Sequence, residues 1–142
     1  ASQHIEKFHQ VWEDVTSEYY GILTANTQDE VKICRESFTK TLLEINELLK
    51  NYDGDFILGD NFSYAECISA PWIQRAFVTL PYFRGIDFDE DILSEMEHVS
   101  NWMRAVCERP SCVETCCPEN EMIAAAKRYY VSFISPGATG HL

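Results

Sequence analysis

The sequence predicts an all-α fold, a helical bundle of about five to six helices, and three observations predict it. Apolar residues recur at intervals of three and four through several long segments, which gathers them on one face of a helix. No useful length shows the two-residue alternation of a half-buried strand. Turn formers crowd a single segment, NYDGDFILGDNF, which holds three Asp, two Gly and two Asn.

The first stripe is Ile5, Phe8, Trp12, Val15, Tyr19 and Ile22, enough for a helix of about six turns. A second stripe runs through Cys34, Phe38, Leu42, Ile45, Leu49 and Tyr52. Thr27 or Asp29 can cap its helix, and Asp29 and Glu30 suit the positive end of the dipole. The turn-rich segment then forces a loop.

After the loop, LGDNFSYAE places Ser63 three residues ahead of Glu66, the pattern of an N-terminal capping box. Phe62, just before the cap, is placed to staple against Cys67. The helix that follows, from about Ser63 to Leu80, points Ile68, Trp72, Ala76 and Leu80 inward. Its few charges, Glu66 and Arg75, make it the expected centre of the bundle. Pro71 predicts a kink before Trp72, and Pro81 predicts the end.

The acids Asp87, Asp89, Glu90 and Asp91 suit the start of a fourth long helix, whose stripe is Ile92, Met96, Val99, Met103 and Val106. It is expected to end near Arg109. A short helix after Pro110, a break at Pro118 and a last helix from Glu119 to about Tyr130 complete the order. The tail SFISPGATGHL is expected to be loose.

The 142 residues read as one domain, residues 1–142, with the composition of a folded globular chain: 46% hydrophobic and 24% charged. A net charge of -12 argues against nucleic acid or an anionic membrane as partner, since both call for clustered Lys and Arg. No window approaches eighteen apolar residues, and the N-terminal ASQHIEKFHQ lacks the pattern of a secretory signal, so a cytoplasmic location is expected.

The six cysteines read as reduced thiols, with Cys34 and Cys67 on apolar helix faces. Cys112 and Cys116 make half a zinc site, which His98, His4 and His9 do not complete, so no metal is expected. Cys116 beside Cys117 has the wrong electrostatics for disulfide exchange, because Glu114 and Glu119 disfavour a thiolate. Nucleotide-binding, zinc-protease and serine-hydrolase motifs are all missing, and the acidic run at Asp87 lacks the pattern of a calcium loop.

One segment offers a binding surface. In APWIQR, Trp72 and Arg75 stand three apart on one helical face, an indole platform beside a guanidinium able to hold a carboxylate.

Taken together, the helical hairpin, the glycine-bearing loop with Gly59 and Asp60, and the Phe62-Ser63-x-x-Glu66 cap resemble the C-terminal domain of the glutathione transferases. The resemblance spans roughly His4 to Tyr130. Glu66 stands where that family usually carries Asp. PWIQR looks like the omega class and related thiol transferases, in which a Pro-Trp-x-x-Arg segment contributes to the substrate site, with lambda-type and dehydroascorbate-reductase-type enzymes left open. The resemblance implies substrate-binding roles for Trp72, Arg75, Tyr129 and Trp12, a structural role for Ser63, Glu66 and Phe62, and no catalytic residue here. Met122 replaces a tryptophan that the omega enzymes carry before that tyrosine.

It further implies glutathione as co-substrate of a longer parent protein and a thioredoxin-like N-terminal domain in cis. A small-molecule or mixed-disulfide substrate follows from the same class, and a homodimer stays open. A non-catalytic alternative is a docking module of the kind found in translation elongation factor 1 gamma subunits and synthetase complexes. A plainer one is an isolated bundle that binds a partner through exposed apolar surface.

Overall fold

A computed structural model describes residues 2–140 of the chain and is all-helical. The first two stripes form α1 (Ser2–Thr24) and α2 (Gln28–Lys50), long helices paired along their length and joined by a short link. Thr27 is the cap of α2: its hydroxyl accepts from the Glu30 amide at 3.2 Å, and the Glu30 carboxylate accepts from the Asn26 amide at 2.7 Å. Phe8, Ile22 and Leu23 of α1 meet Phe38, Leu42 and Ile45 of α2 in the core.

The turn-rich segment closes on itself through paired backbone bonds between Phe56 and Gly59 (2.9 and 3.1 Å). Gly54 makes that closure feasible. Its φ is +90°, and a Cβ there would sit 2.6 Å from the Gly59 carbonyl carbon.

The third stripe forms α3 (Tyr64–Arg84), which opens with the expected capping box. Glu66 goes further than a cap: it is fully buried, and its carboxylate accepts from the Ile57 amide (2.7 Å), the Ser63 amide (2.9 Å), the Ser63 hydroxyl and Trp102 Nε1 (3.2 Å). One side chain thus ties the loop, the start of α3 and a later helix together.

That junction changes the phase of the helix. The face turned inward is Ala65, Glu66, Ser69, Ala70, Ile73, Ala76 and Leu80, of which Ala65, Ser69, Ala70 and Ala76 are small and admit close packing, while Ile68 and Trp72 lie on its flank and Cys67 is exposed. Phe62 and Cys67, the expected staple pair, border one cavity. Phe62 packs edge-on against Phe56 (5.3 Å between centroids) beneath the Arg109 guanidinium, 4.8 Å away.

Pro81 does not end α3, and the helix is continuous through Pro71 as well. Each proline costs one backbone bond, which burial on several sides offsets. Gly85 ends it instead, in the left-handed region at φ 66°, with amide bonds from Gly85 to Pro81 O and from Ile86 to Leu80 O.

The fourth long helix is interrupted. Asp87 and Asp91 each bond a backbone amide here, Asp87 accepting from the Glu90 amide at 3.0 Å and Asp91 from the Asp87 amide at 2.8 Å. Together the two bonds close a short π-helix, Phe88–Leu93, whose Phe88, Ile92 and Leu93 are buried. The chain breaks at Met96 before α4 (Glu97–Glu108). No local side chain caps α4. Buried Asn46 of α2 does so from across the bundle, accepting from the Val99 amide at 3.0 Å.

α5 (Pro110–Thr115) and α6 (Glu119–Tyr129) follow, with Pro110 at the first position of α5 and Pro118 preceding α6. The final segment is not loose. Residues 131–140 fold back as a strap, with backbone bonds from Ser135 to Phe83 O (3.0 Å) and from Gly140 to Tyr82 O (2.9 Å). The reason is Arg84, only 4% exposed, whose guanidinium donates to Ile22 O, Leu23 O, Phe83 O, Phe133 O and the Ser135 hydroxyl. It lies over the Phe133 ring at 4.4 Å, and burial lowers its pKa from the usual guanidinium value. Carbonyls at the C-terminal end of α1 carry partial negative charge, which suits a cation held there.

Among the described residues no helix is long and apolar enough to cross a membrane, and no group of three or more His, Cys, Asp and Glu side chains could hold a metal ion.

Candidate functional site

Two consecutive tyrosines on α1 start the site. Tyr19 faces the core, and its hydroxyl lies 2.6 Å from Thr79 Oγ1 of α3. Because the Thr79 hydroxyl donates its one hydrogen to the Arg75 carbonyl (2.7 Å), Tyr19 is the donor in this pair. Burial raises the Tyr19 pKa strongly against the smaller opposing effect of the Thr79 bond, so the phenol stays neutral.

Tyr20, one residue on, is half-buried and meets Trp72 edge-on at 4.9 Å and 88°. On its other side it meets Tyr130 at 5.5 Å and 86°. The Arg75 guanidinium lies 4.8 Å above the Trp72 ring, a cation–π contact that orients the fork while leaving its donors free to turn outward. Trp72, Arg75, Tyr20 and Tyr130 are all partly exposed. Burial raises the Tyr130 pKa, with Tyr20 acting in the same direction and Arg75 in the opposite one.

The result is an aromatic wall with one cation beside it. Such a surface can hold a ligand that pairs an apolar body with an anionic group. Arg75 also lines a cavity of about 360 Å³ with Phe62, Cys67, Pro71, Gln74 and Cys112, and no acidic side chain borders it among the described residues.

Trp72 and Arg75, singled out in the sequence, are thus in contact. Tyr129 is not part of the group: it is 72% exposed and lies under Arg128, 5.4 Å from the guanidinium carbon. The chain leaves helical geometry at Tyr130 (φ -149°, ψ -7°) while its amide still bonds Ala126 O, and it is this next ring that meets Tyr20. A one-residue offset at a helix end decides which tyrosine faces inward, and sequence spacing does not resolve it.

Trp12 is 5% exposed and belongs to the core, stacked on Phe8 (5.4 Å, 16°) and edge-on to Trp102 (5.7 Å, 78°). It shares with Trp72 only an apolar seam of about 10 Å³, roughly the space of one water and too small for a substrate. Tyr20 and Tyr130 escaped the sequence reading. The signal for Tyr20 was its place beside the stripe residue Tyr19; Tyr130 carried none.

The family model for the glutathione S-transferase C-terminal domain matches residues 8–105, more than half of the chain. No curated protein and no solved structure gives a significant match. The match covers more than half of the chain and the fold is all-helical, as that family requires, so the chain belongs to the glutathione S-transferase C-terminal domain family.

Proposed function

We propose that this chain is the substrate-binding helical domain of an omega-like glutathione transferase, a glutathione-dependent thiol transferase acting on mixed disulfides or similar small oxidised substrates. In this reading a thioredoxin-like domain in cis holds glutathione and supplies the catalytic thiol. The present helices supply the wall against which the acceptor lies. One observation carries it: the Arg75 guanidinium poised over Trp72 at 4.8 Å, beside the half-exposed rings of Tyr20 and Tyr130.

Trp72, Tyr20 and Tyr130 give flat apolar contact, and Arg75 takes an anionic group of substrate or glutathione. Ser63 and Glu66 keep the start of α3 in place.

Arg75→Ala in the full protein tests it. A lost charge-assisted hydrogen bond is worth about 1.5–3 kcal/mol, so KM for an anionic acceptor should rise roughly 10- to 100-fold with the melting temperature unchanged. Unchanged kinetics would remove Arg75 from the site and favour a docking role for the domain.

A further inference from the structure

Five of the six cysteines border two adjoining cavities at one end of the bundle, and both cavities share Gln74, Cys117 and Met122. Three of them, Cys67, Cys112 and Cys117, line the 360 Å³ cavity that also holds Arg75, and Cys67 and Cys112 are brought to it from 45 positions apart in the chain. Cys67, in the first turns of α3, is exposed; Cys112, on α5, is buried at 7%. Gln74 Nε2 donates to the Cys112 carbonyl at 3.1 Å and so holds α5 against α3.

We propose that Cys67 and Cys112 form a dithiol exchange site, Cys67 attacking and Cys112 resolving, for an anionic low-molecular-weight disulfide drawn in by Arg75. The site lies wholly within this chain and does not rest on the function proposed above.

The Cys67 thiolate attacks one sulfur of the disulfide RSSR, a Cys67–S–SR bond forms, and RS⁻ leaves. Cys112 loses its proton to solvent and attacks the Cys67 sulfur, and the second RS⁻ leaves as the Cys67–Cys112 bond closes. The two chain thiols lose two electrons and two protons, and RSSR becomes two RSH. An accessible attacking thiol with a shielded partner is the arrangement such exchange requires. α5, which carries Cys112, is only six residues long.

Burial raises the Cys112 thiol, against the Ser111 bond, which suits it to resolve and not to attack, and Cys107, Cys117 and Cys34 are likewise less suited to attack. Burial pushes the Cys107 thiol up to about 11, reinforced by neighbouring Cys112, Cys116 and Glu108. The Cys117 thiol is raised as well, by desolvation first and then by its bond to the Glu121 carboxylate, 3.6 Å away. Cys34 is half-buried on the far pair of helices, its sulfur against Gly21.

The test is peptide mapping of the full protein after exposure to oxidised glutathione. The expected product is a Cys67–Cys112 crosslink, lighter by about 2 Da than the free dithiol. Cys112→Ala should instead accumulate a glutathione adduct at Cys67, and Cys67→Ser should lose both products. Cys34→Ser, far from this cavity, should change nothing. Arg75→Ala should slow the reaction severalfold with oxidised glutathione but not with neutral 2-hydroxyethyl disulfide. Modification of wild-type protein at Cys116 or Cys117 in preference to Cys67, or the absence of the crosslink, overturns the proposal, and both readouts hold even if the Cys112 variant folds poorly.

Discussion

Removing the Glu66 carboxylate should be among the most damaging single changes in this protein. The side chain is fully buried and accepts from the Ile57 amide, the Ser63 amide, the Ser63 hydroxyl and Trp102 Nε1. In Glu66→Ala the hydroxyl can turn elsewhere, but the two amides and the indole N–H remain buried without an acceptor. At about 1–3 kcal/mol for each such donor, partly offset by no longer burying a charge, the loss should be about 3–5 kcal/mol. That is a large fraction of the ~5–15 kcal/mol that holds a domain of this kind together, and it corresponds to a fall in Tm on the order of 10–15 °C.

Glu66→Gln keeps the shape but exchanges one acceptor for a donor, so about half the loss is expected. Glu66→Asp can still reach the Ser63 amide but is too short to serve the loop and Trp102 as well. Urea titration of the three variants gives the comparison, followed by the combined fluorescence of Trp12, Trp72 and Trp102. A loss below about 1 kcal/mol in Glu66→Ala would refute the junction role, because an unsatisfied donor alone costs that much.

Arg84→Ala should release the strap, costing about 2–4 kcal/mol and accelerating amide exchange across residues 131–140 before the rest of the chain responds; Arg84→Lys should rescue little, since one ammonium cannot span five acceptors. Glu18→Gln should raise Tm at pH 7. The Glu18 carboxyl has its pKa raised by burial, with Asp14 and Glu44 adding to it against the Thr41 bond, and its Oε2 has no partner. A raised carboxyl pKa gives stability that is complete below the unfolded value of 4.5 and lost as pH climbs through the folded one, so the variant's advantage should disappear in melts run near pH 4.

The helices with long amphipathic stripes were legible in the sequence because each buries one face against one partner. The stripe from Ile5 to Ile22 and the one from Phe38 to Leu49 lie where the spacing puts them. α3 was harder, since a central helix is apolar on several sides and its spacing does not say which side leads. The carboxylate of Glu66, reaching partners 9 and 36 positions away, set that phase. Pro81 misled because a terminating signal is local, whereas the Gly85 turn that ends the helix is matched to the strap that packs there. Trp72 and Arg75 were visible as a helical pair. Tyr20 and Tyr130 were not, since their meeting depends on the return path of the chain after α6.

That return path has a consequence for the order of assembly. The anchor carbonyls at Ile22 and Leu23, the guanidinium at position 84 and the acceptors at Phe133 and Ser135 come from three parts of the chain separated by about 50 to 60 residues. Such distant closures form late, after the local helices have already condensed. Tyr130 stands directly before the strap, so its contact with Tyr20 is expected to be completed together with this clasp. The aromatic wall is therefore a reporter of complete folding: a chain stalled one step short of the native state would have its bundle but no finished binding face.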